Sequence, residues 1–217
     1  MSETAAQGYL PQNELTIQAM QRMPYYRHLV AEAKARGEMN ISSTAIAEKL
    51  SLNPVLVRKD LAAVSTRHGK PKKGFFVDEL LVDIERYMGC GEHKEAVIVG
   101  AGHLGRALMG NEEFGEYGIR ITAGFDTDPK LAGTEINGIK ILSAAELQDY
   151  CVGHGIKIAI LTTPADNAQE TADLLVEAGV SAIWNFALVM LKVPDGVLVR
   201  NENLASSLAV LSHHICV

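Results

Sequence analysis

Residues 100 to 105 read Gly100-Ala101-Gly102-His103-Leu104-Gly105, which is G-x-G-x-x-G spacing. This spacing suits a turn that carries a diphosphate. Gly100 permits the tight turn, Gly102 lets the backbone approach the phosphates, and Gly105 lets a helix pack closely on a strand. An acid, Asp126, follows 21 residues after Gly105. A carboxylate there can accept both hydroxyls of an adenosine ribose and would repel a 2′-phosphate. The expected chemistry is therefore the binding of NADH or NAD rather than NADP. His103 lies beside the phosphates in this reading, so contact is expected of it rather than acid–base work. No other Ser, Cys or His stands with a base and an orienting acid, and no catalytic residue is expected. Cys90, Cys151 and Cys216 are odd in number and widely spaced, which suggests neither a disulfide framework nor a metal site.

These residues need strands and helices to hold them. Ala96-Val97-Ile98-Val99 is a short β-branched run leading into the glycines, and Arg106 to Glu113 reads as the following helix. Ile119 to Phe125 is a second strand that ends at Asp126. Ile139 to Leu142, Ile156 to Leu161 and Val180 to Trp184 continue as strands. Ala144 to Tyr150 and Asp166 to Ala178 read as helices between them, the second capped by Gly179. This α/β alternation predicts a mainly parallel sheet whose strand C-termini form the ligand edge. Thr162, Thr163, Pro164, Asn185 and Phe186 stand at those ends and are expected at the nicotinamide end. Phe186 reads equally well as a core residue.

The preceding stretch is helical. Pro24 is expected to open a helix from Tyr25 to Arg36 that Gly37 ends. Ser42-Ser43 precedes a short helix to Leu50, and Asn53-Pro54 reads as N-cap and first residue of a third, Val55 to Val64. Only Ser51-Leu52 separates the two, as in a helix-turn-helix. Val57, Leu61 and Val64 share the buried face of the third helix, while Val55, Arg58, Lys59 and Ala62 lie opposite. An exposed Arg58 can bond guanine bidentately, and Lys59 can bond phosphate or guanine. A basic run with turn residues follows and leads into Phe75-Phe76-Val77. It reads as a hairpin wing with Arg67, Lys70, Lys72 and Lys73 on phosphates, or as a basic linker. Ser43 joins these as an expected DNA contact.

Charge agrees with this division. Residues 1–78 hold 11 Lys and Arg against 7 Asp and Glu (+4), and residues 79–217 hold 9 against 19 (−10). Asp78 to Gly89 carries an apolar stripe and reads as a linker helix. The expected domains are therefore a DNA-binding head over 13–78, a linker helix over 79–93, a Rossmann domain over 94–199 and a C-terminal helix over 200–217. In that last helix Leu204, Leu208, Leu211 and Ile215 form a stripe that must be buried, on its own sheet or on a partner subunit. No apolar run is long enough to span a bilayer, and the N-terminus lacks the pattern of a secretory signal, so a cytoplasmic location is expected.

Four runs together resemble the Rex family of bacterial redox-sensing repressors: Tyr25-Tyr26-Arg27-His28-Leu29, Val57-Arg58-Lys59-Asp60-Leu61, Gly100 to Leu108, and Trp184-Asn185-Phe186-Ala187. The resemblance extends from about Leu15 to the C-terminus. It implies an α/β chain with a winged helix-turn-helix head, a Rossmann domain with a mainly parallel sheet, and a homodimer with a domain-swapped C-terminal helix. It also implies a repressor, not an enzyme, that leaves an inverted-repeat operator when NADH binds. The pattern departs from the family's at Leu56, Val64-Ser65, Lys70 to Lys73 and Leu188. Asn111 and Asn203 stand where some members place a Tyr and an Asp that couple to the Arg matching Arg27. Two other readings remain: an NAD-dependent oxidoreductase, which would need a proton donor, and a repressor of another adenine ligand such as coenzyme A, whose 3′-phosphate Asp126 would oppose.

Overall fold

A computed structural model describes residues 15–67, 69–70 and 73–215, except the side chain of Ser207. The chain forms two compact units that meet in sequence between Gly91 and Glu92.

In the first unit, helix α1 runs Ile17–Ala35. It starts a full two turns before the position expected from Pro24, which lies inside it. The Thr16 hydroxyl caps it by accepting from the Ala19 N–H at 3.2 Å. Ala19 and Met23 are buried along with Tyr26, Val30 and Ala33. That burial and the cap offset the backbone hydrogen bond that an interior proline removes, a loss worth about 3 kcal/mol. Strand β1 (Asn40–Ile41) precedes α2 (Ser43–Leu50) and α3 (Pro54–Val64). Ser42 caps α2, and Asn53 caps α3 with Pro54 in its first turn. Between them Ser51 takes a left-handed conformation, φ 54°, that makes the turn tight. Strand β2 (Phe75–Phe76) pairs antiparallel with β1. Before it, Lys70 and Gly74 exchange backbone hydrogen bonds of 2.8 and 2.9 Å, closing the basic turn as a wing. Gly74 has φ 76°, and a Cβ there would collide with the Ile41 carbonyl.

Helix α4 (Val77–Met88) completes this unit. The segment expected as a linker helix is instead part of the head's core. Its Val77, Leu80 and Ile84 pack with Tyr26, Ile46, Leu61 and Phe75. An apolar stripe shows that a helix is buried but not which unit buries it.

The second unit is a seven-stranded sheet: β3 (Lys94–Val99), β4 (Ile119–Asp126), β5 (Glu135–Ile136), β6 (Ile139–Ser143), β7 (Ile158–Leu161), β8 (Ala182–Asn185) and β9 (Leu198–Asn201). The order is β5-β6-β4-β3-β7-β8-β9. Every neighbouring pair is parallel except β5 with β6. Helices α5 (His103–Met109), α6 (Glu113–Glu116), α7 (Leu147–His154) and α8 (Ala165–Glu177) connect the strands. One apolar cluster, with Phe125, Leu147, Leu161 and Leu175, fills one face. A second, with Ile98, Met109, Ile141 and Ile160, fills the other. The chain leaves β3 toward β4 and later returns to its other side with β7. The strand order thus reverses at β3, and in such a sheet the ligand crevice lies outside the C-terminal ends of the two strands at the reversal, β3 and β7. Strand β9 carries the sheet to Asn201, past the expected end at 199, and helix α9 is Leu204–Ile215.

Candidate dinucleotide cleft and nucleic-acid groove

The cleft begins where β3 ends. The Gly100 N–H donates to the Phe125 carbonyl at 2.8 Å, and the Thr162 N–H donates to the Val99 carbonyl at 2.8 Å. The Thr162 hydroxyl reaches the carbonyls of Gly100 (2.8 Å) and Val99 (3.1 Å). The loop is thereby tied to β4 and β7. Gly100 has φ 103°, and a Cβ on it would sit 2.8 Å from the Thr162 carbonyl oxygen. A Cβ on Gly105 would collide with the Gly100 carbonyl oxygen. Gly102 is different: nothing lies within 4 Å of where its Cβ would be. Two of the glycines are needed for packing, and the third leaves space beside the backbone for a ligand.

Asp126 ends β4 next to this loop. Its Oδ2 accepts from the Ala101 N–H at 2.6 Å, and its Oδ1 accepts from the Asp128 N–H at 2.8 Å. The carboxylate is therefore oriented before any ligand arrives. A cavity of about 500 Å³ opens here. Gly100, Gly102, Asp126, Thr162, Thr163 and Pro164 line it with Thr127, Leu147, Asn167, Thr171 and Leu174. The Thr163 hydroxyl oxygen is buried without a hydrogen-bond partner. A buried hydroxyl without a partner is costly, so this wall is suited to a polar ligand group. Asn167 and Thr171 were not singled out from sequence. They stand four residues apart on α8, with Leu174 three further on, a spacing that gives one face.

The other expected ligand residues lie elsewhere. Ala101 is buried and contributes its N–H to Asp126, while His103 and Leu104 begin α5 outside the lining. Neither Asn185 nor Phe186 lines the cavity. Asn185 is fully buried, and its amide donates to Val189 O (2.9 Å) and Asn201 Oδ1 (2.8 Å). Its own Oδ1 accepts from the Ala187 N–H at 3.0 Å. It latches β8 to β9 and to the loop beyond. Phe186 packs on Trp184, with ring centroids 4.6 Å apart, and Trp184 meets Phe114 edge-on at 5.9 Å. Among the described residues no cluster of His, Cys, Asp or Glu could hold a metal ion.

The head carries a second concavity, of about 580 Å³. It is lined by Arg58, Lys59 and Ala62 of α3, Ser43 and Thr44 of α2, and Lys70 and Gly74 of the wing. Arg58 and Lys59 are exposed, whereas Val57, Leu61 and Val64 are buried, as the helical spacing predicts. The Lys70 ammonium also lies 5.3 Å above the Phe76 ring. Lys73 is exposed on the wing. Arg67 is outside the groove and pairs with Glu79 at 2.8 Å. Lys72 lies outside the described residues. Two buried carboxylates, not singled out from sequence, anchor this surface. Asp60 faces inward from α3, and Asp83 accepts from the Thr66 N–H (2.7 Å) and hydroxyl (2.8 Å) just before the wing.

Three further positions were expected at an interface. Arg27 pairs with Glu85 at 3.1 Å within the head. Asn111 Oδ1 accepts from the Glu113 N–H at 2.9 Å, and Asn203 Oδ1 accepts from the Ser206 N–H at 3.0 Å. Asn203 thus caps α9, as an aspartate would also do, whereas Asn111 closes a turn just before α6, whose N-cap is Glu112. On α9, Leu204, Leu208, Leu211 and Ile215 are 61 to 83% exposed. Among the described residues, nothing covers this apolar stripe.

A winged helix-turn-helix with a basic groove, followed by a parallel α/β unit with a glycine loop and a placed acid, defines a DNA-binding regulator with a ligand domain. Residues 16–62 match the family described as putative DNA-binding protein N-terminus, and residues 92–189 match the CoA binding domain family. A redox-sensing transcriptional repressor Rex of Treponema denticola is 44% identical over 89% of this chain and 91% of its own. One of Porphyromonas gingivalis is 34% identical over 97% of this chain and 96% of its own. A crystal structure of the repressor RSP in complex with β-NAD+ and operator DNA superposes with a TM-score of 0.88, at 32% identity over 94% of each chain. RSP in complex with β-NADH superposes with a TM-score of 0.82, at the same identity over 94% of this chain and 95% of that one. The chain belongs to the Rex family of redox-sensing transcriptional repressors.

Proposed function

We propose that this chain represses transcription by binding an inverted-repeat operator through its head, and that NADH bound in the C-terminal unit releases the operator. The observation that carries the proposal is the cleft itself. An open backbone at Gly102 lies beside an acid already oriented by the Ala101 N–H, at the strand-order reversal of a parallel sheet. Gly102 gives room for a diphosphate, and Asp126 takes the adenosine ribose. Thr163 offers an unspent hydroxyl. RSP, which shares this fold, was crystallised with NAD+ on operator DNA and with NADH. In the head, Arg58 reads base edges while Lys59, Lys70 and Lys73 contact phosphates. The uncovered stripe on α9 is buried by a second copy, giving a homodimer whose two heads read two half-sites. Such a protein works in the cytoplasm and turns over no substrate. Asp126 is the one ionisable side chain lining the cleft among the described residues, and it is spoken for by ribose.

The match of residues 92–189 to a CoA binding domain family favours a second reading, coenzyme A in the same cleft. The two ligands differ at the ribose, where coenzyme A carries a 3′-phosphate that Asp126 would repel. The test is fluorescence anisotropy of a labelled inverted-repeat operator with NADH, NAD or coenzyme A titrated at fixed salt. Release by NADH alone supports the proposal. Release by coenzyme A alone transfers the site to the second reading.

A further inference from the structure

Helix α3 carries three consecutive charges, Arg58, Lys59 and Asp60. The first two are exposed in the groove, and Asp60 turns inward to 5% exposure. There its Oδ2 accepts from Arg22 Nε (2.8 Å) and from the Tyr26 hydroxyl (2.8 Å), and Arg22 Nη2 lies 2.7 Å from the same oxygen. Arg22 Nε also reaches the Tyr26 oxygen at 3.1 Å. Both partners come from α1, one turn apart. Tyr26 is fully buried, and burial, then its bond to Asp60, push its hydroxyl up to about 12, so it stays a donor.

Stability alone gives little reason for this cluster. A buried ion pair recovers its desolvation cost only with good geometry, and apolar residues of similar volume often serve as well. What apolar packing cannot supply is direction. Three donor atoms aimed at one oxygen fix the rotation of α3 about its axis, on which the aim of Arg58 depends. They also hold a carboxylate away from the side of the helix that would meet a polyanion.

We propose that Arg22 and Tyr26 are positioning residues for operator reading, which they serve by holding Asp60 on the inner face of α3. The proposal rests on the reading of α3 as the helix that contacts DNA. Its test is anisotropy with full-length protein, on the operator and on a scrambled duplex of equal length. Arg58→Ala, Arg22→Met and Arg22→Met/Asp60→Asn are compared with wild type, with melting temperatures alongside. Arg22→Met is expected to lower the operator-to-scrambled affinity ratio about tenfold, the effect of roughly one misread base pair. Asp60→Asn in that background should restore most of the ratio, because the unpaired charge is gone. A merely structural role would lower melting temperature and leave the ratio of the folded protein unchanged. If Arg58→Ala collapses the ratio but Arg22→Met leaves it within twofold of wild type, the positioning role is refuted and the α3 reading stands. If Arg58→Ala leaves the ratio unchanged, the α3 reading falls and this proposal with it. Should Arg22→Met not fold, Arg22→Gln keeps a polar side chain and loses both the charge and the fork. A ratio equal to wild type in that variant overturns the proposal.

Discussion

Gly102→Ala separates ligand binding from folding. Gly102 has φ −72° and ψ −167°, which any residue adopts, and its Cβ would meet nothing within 4 Å. Alanine caps a helix less well than glycine but has less chain entropy to lose, and the two effects are of similar size. The ligand-free variant should therefore melt within about 4 °C of wild type, a change of about 1 kcal/mol for a chain of this length. The bound dinucleotide meets a different situation. A methyl group where the diphosphate approaches moves its oxygens away from the loop N–H groups. Losing two charge-assisted hydrogen bonds at about 1.5 kcal/mol each costs about 3 kcal/mol, or roughly 150-fold in affinity. Trp184 is the single tryptophan, so energy transfer from it to bound NADH reports binding without a label. Gly105→Ala is the contrast, because its Cβ would strike the Gly100 carbonyl oxygen. It should lower the stability of the C-terminal unit by about 1–3 kcal/mol, as overpacking does. NADH binding by Gly102→Ala within threefold of wild type would refute the assignment of this space to the diphosphate.

Other consequences follow from particular contacts. Asn185→Ala removes three hydrogen bonds at a fully buried site and should cost about 2–4 kcal/mol of stability, read by denaturant titration. A loss below 0.5 kcal/mol, the size of about one exposed substitution, would sink the latch role. Leu208→Asp/Leu211→Asp should sediment as a monomer and lose affinity for the full inverted repeat while retaining half-site binding. A dimer of unchanged affinity would show that the α9 stripe is not the interface. Burial raises the Cys151 thiol to about 11 from an ordinary value of 9, and Tyr26 to about 12 from 10. Both folded values lie above the unfolded ones, so their contribution is full below pH 9 and is lost as pH rises through 11 and then 12. The native Cys151 should resist iodoacetamide at pH 8, and rapid alkylation of that residue would contradict its burial.

The legible parts of this chain are those where chemistry leaves few residue types to choose from. The glycine loop is such a case: Gly100 needs its positive φ, and Gly105 has no room for a Cβ against the Gly100 carbonyl oxygen, as the spacing predicts. Asn53-Pro54 is another, because a cap followed by a first-turn proline starts a helix in almost any setting. Pro24 misled for the opposite reason: it also marks a helix start, yet buried Ala19 and Met23 carry the helix two turns further back. Strand β9 has mostly exposed residues at the sheet edge, so no alternation announced it. Asn167 and Thr171 face a cleft, and from sequence a cleft-facing polar pair looks the same as one facing water. Asn185 was legible as important but not as to its task. Its position at a strand end suits both a ligand contact and a latch, and the sequence does not announce the partners it has at Ala187, Val189 and Asn201.

The best-formed part of the cleft is also the part that cannot tell NADH from NAD. Both carry the same adenosine and diphosphate, so on the proposed assignment the glycine loop and Asp126 favour them equally. A contact that binds two ligands equally shifts no equilibrium between DNA-bound and free states, however tight it is. Redox sensing therefore has to draw on groups that meet the nicotinamide ring or on a surface that changes cover with it. In the homodimer proposed above, the exposed leucines of α9 would supply such a surface. The energy required is modest. A tenfold change in operator affinity needs about 1.4 kcal/mol of coupling. Burying one leucine side chain contributes about 1.5–3 kcal/mol. On the proposed assignments, a shift in cover of a single leucine on α9 between the two ligand states would suffice to make the response, while Asp126 and Gly102 would set only how much dinucleotide is needed to evoke it.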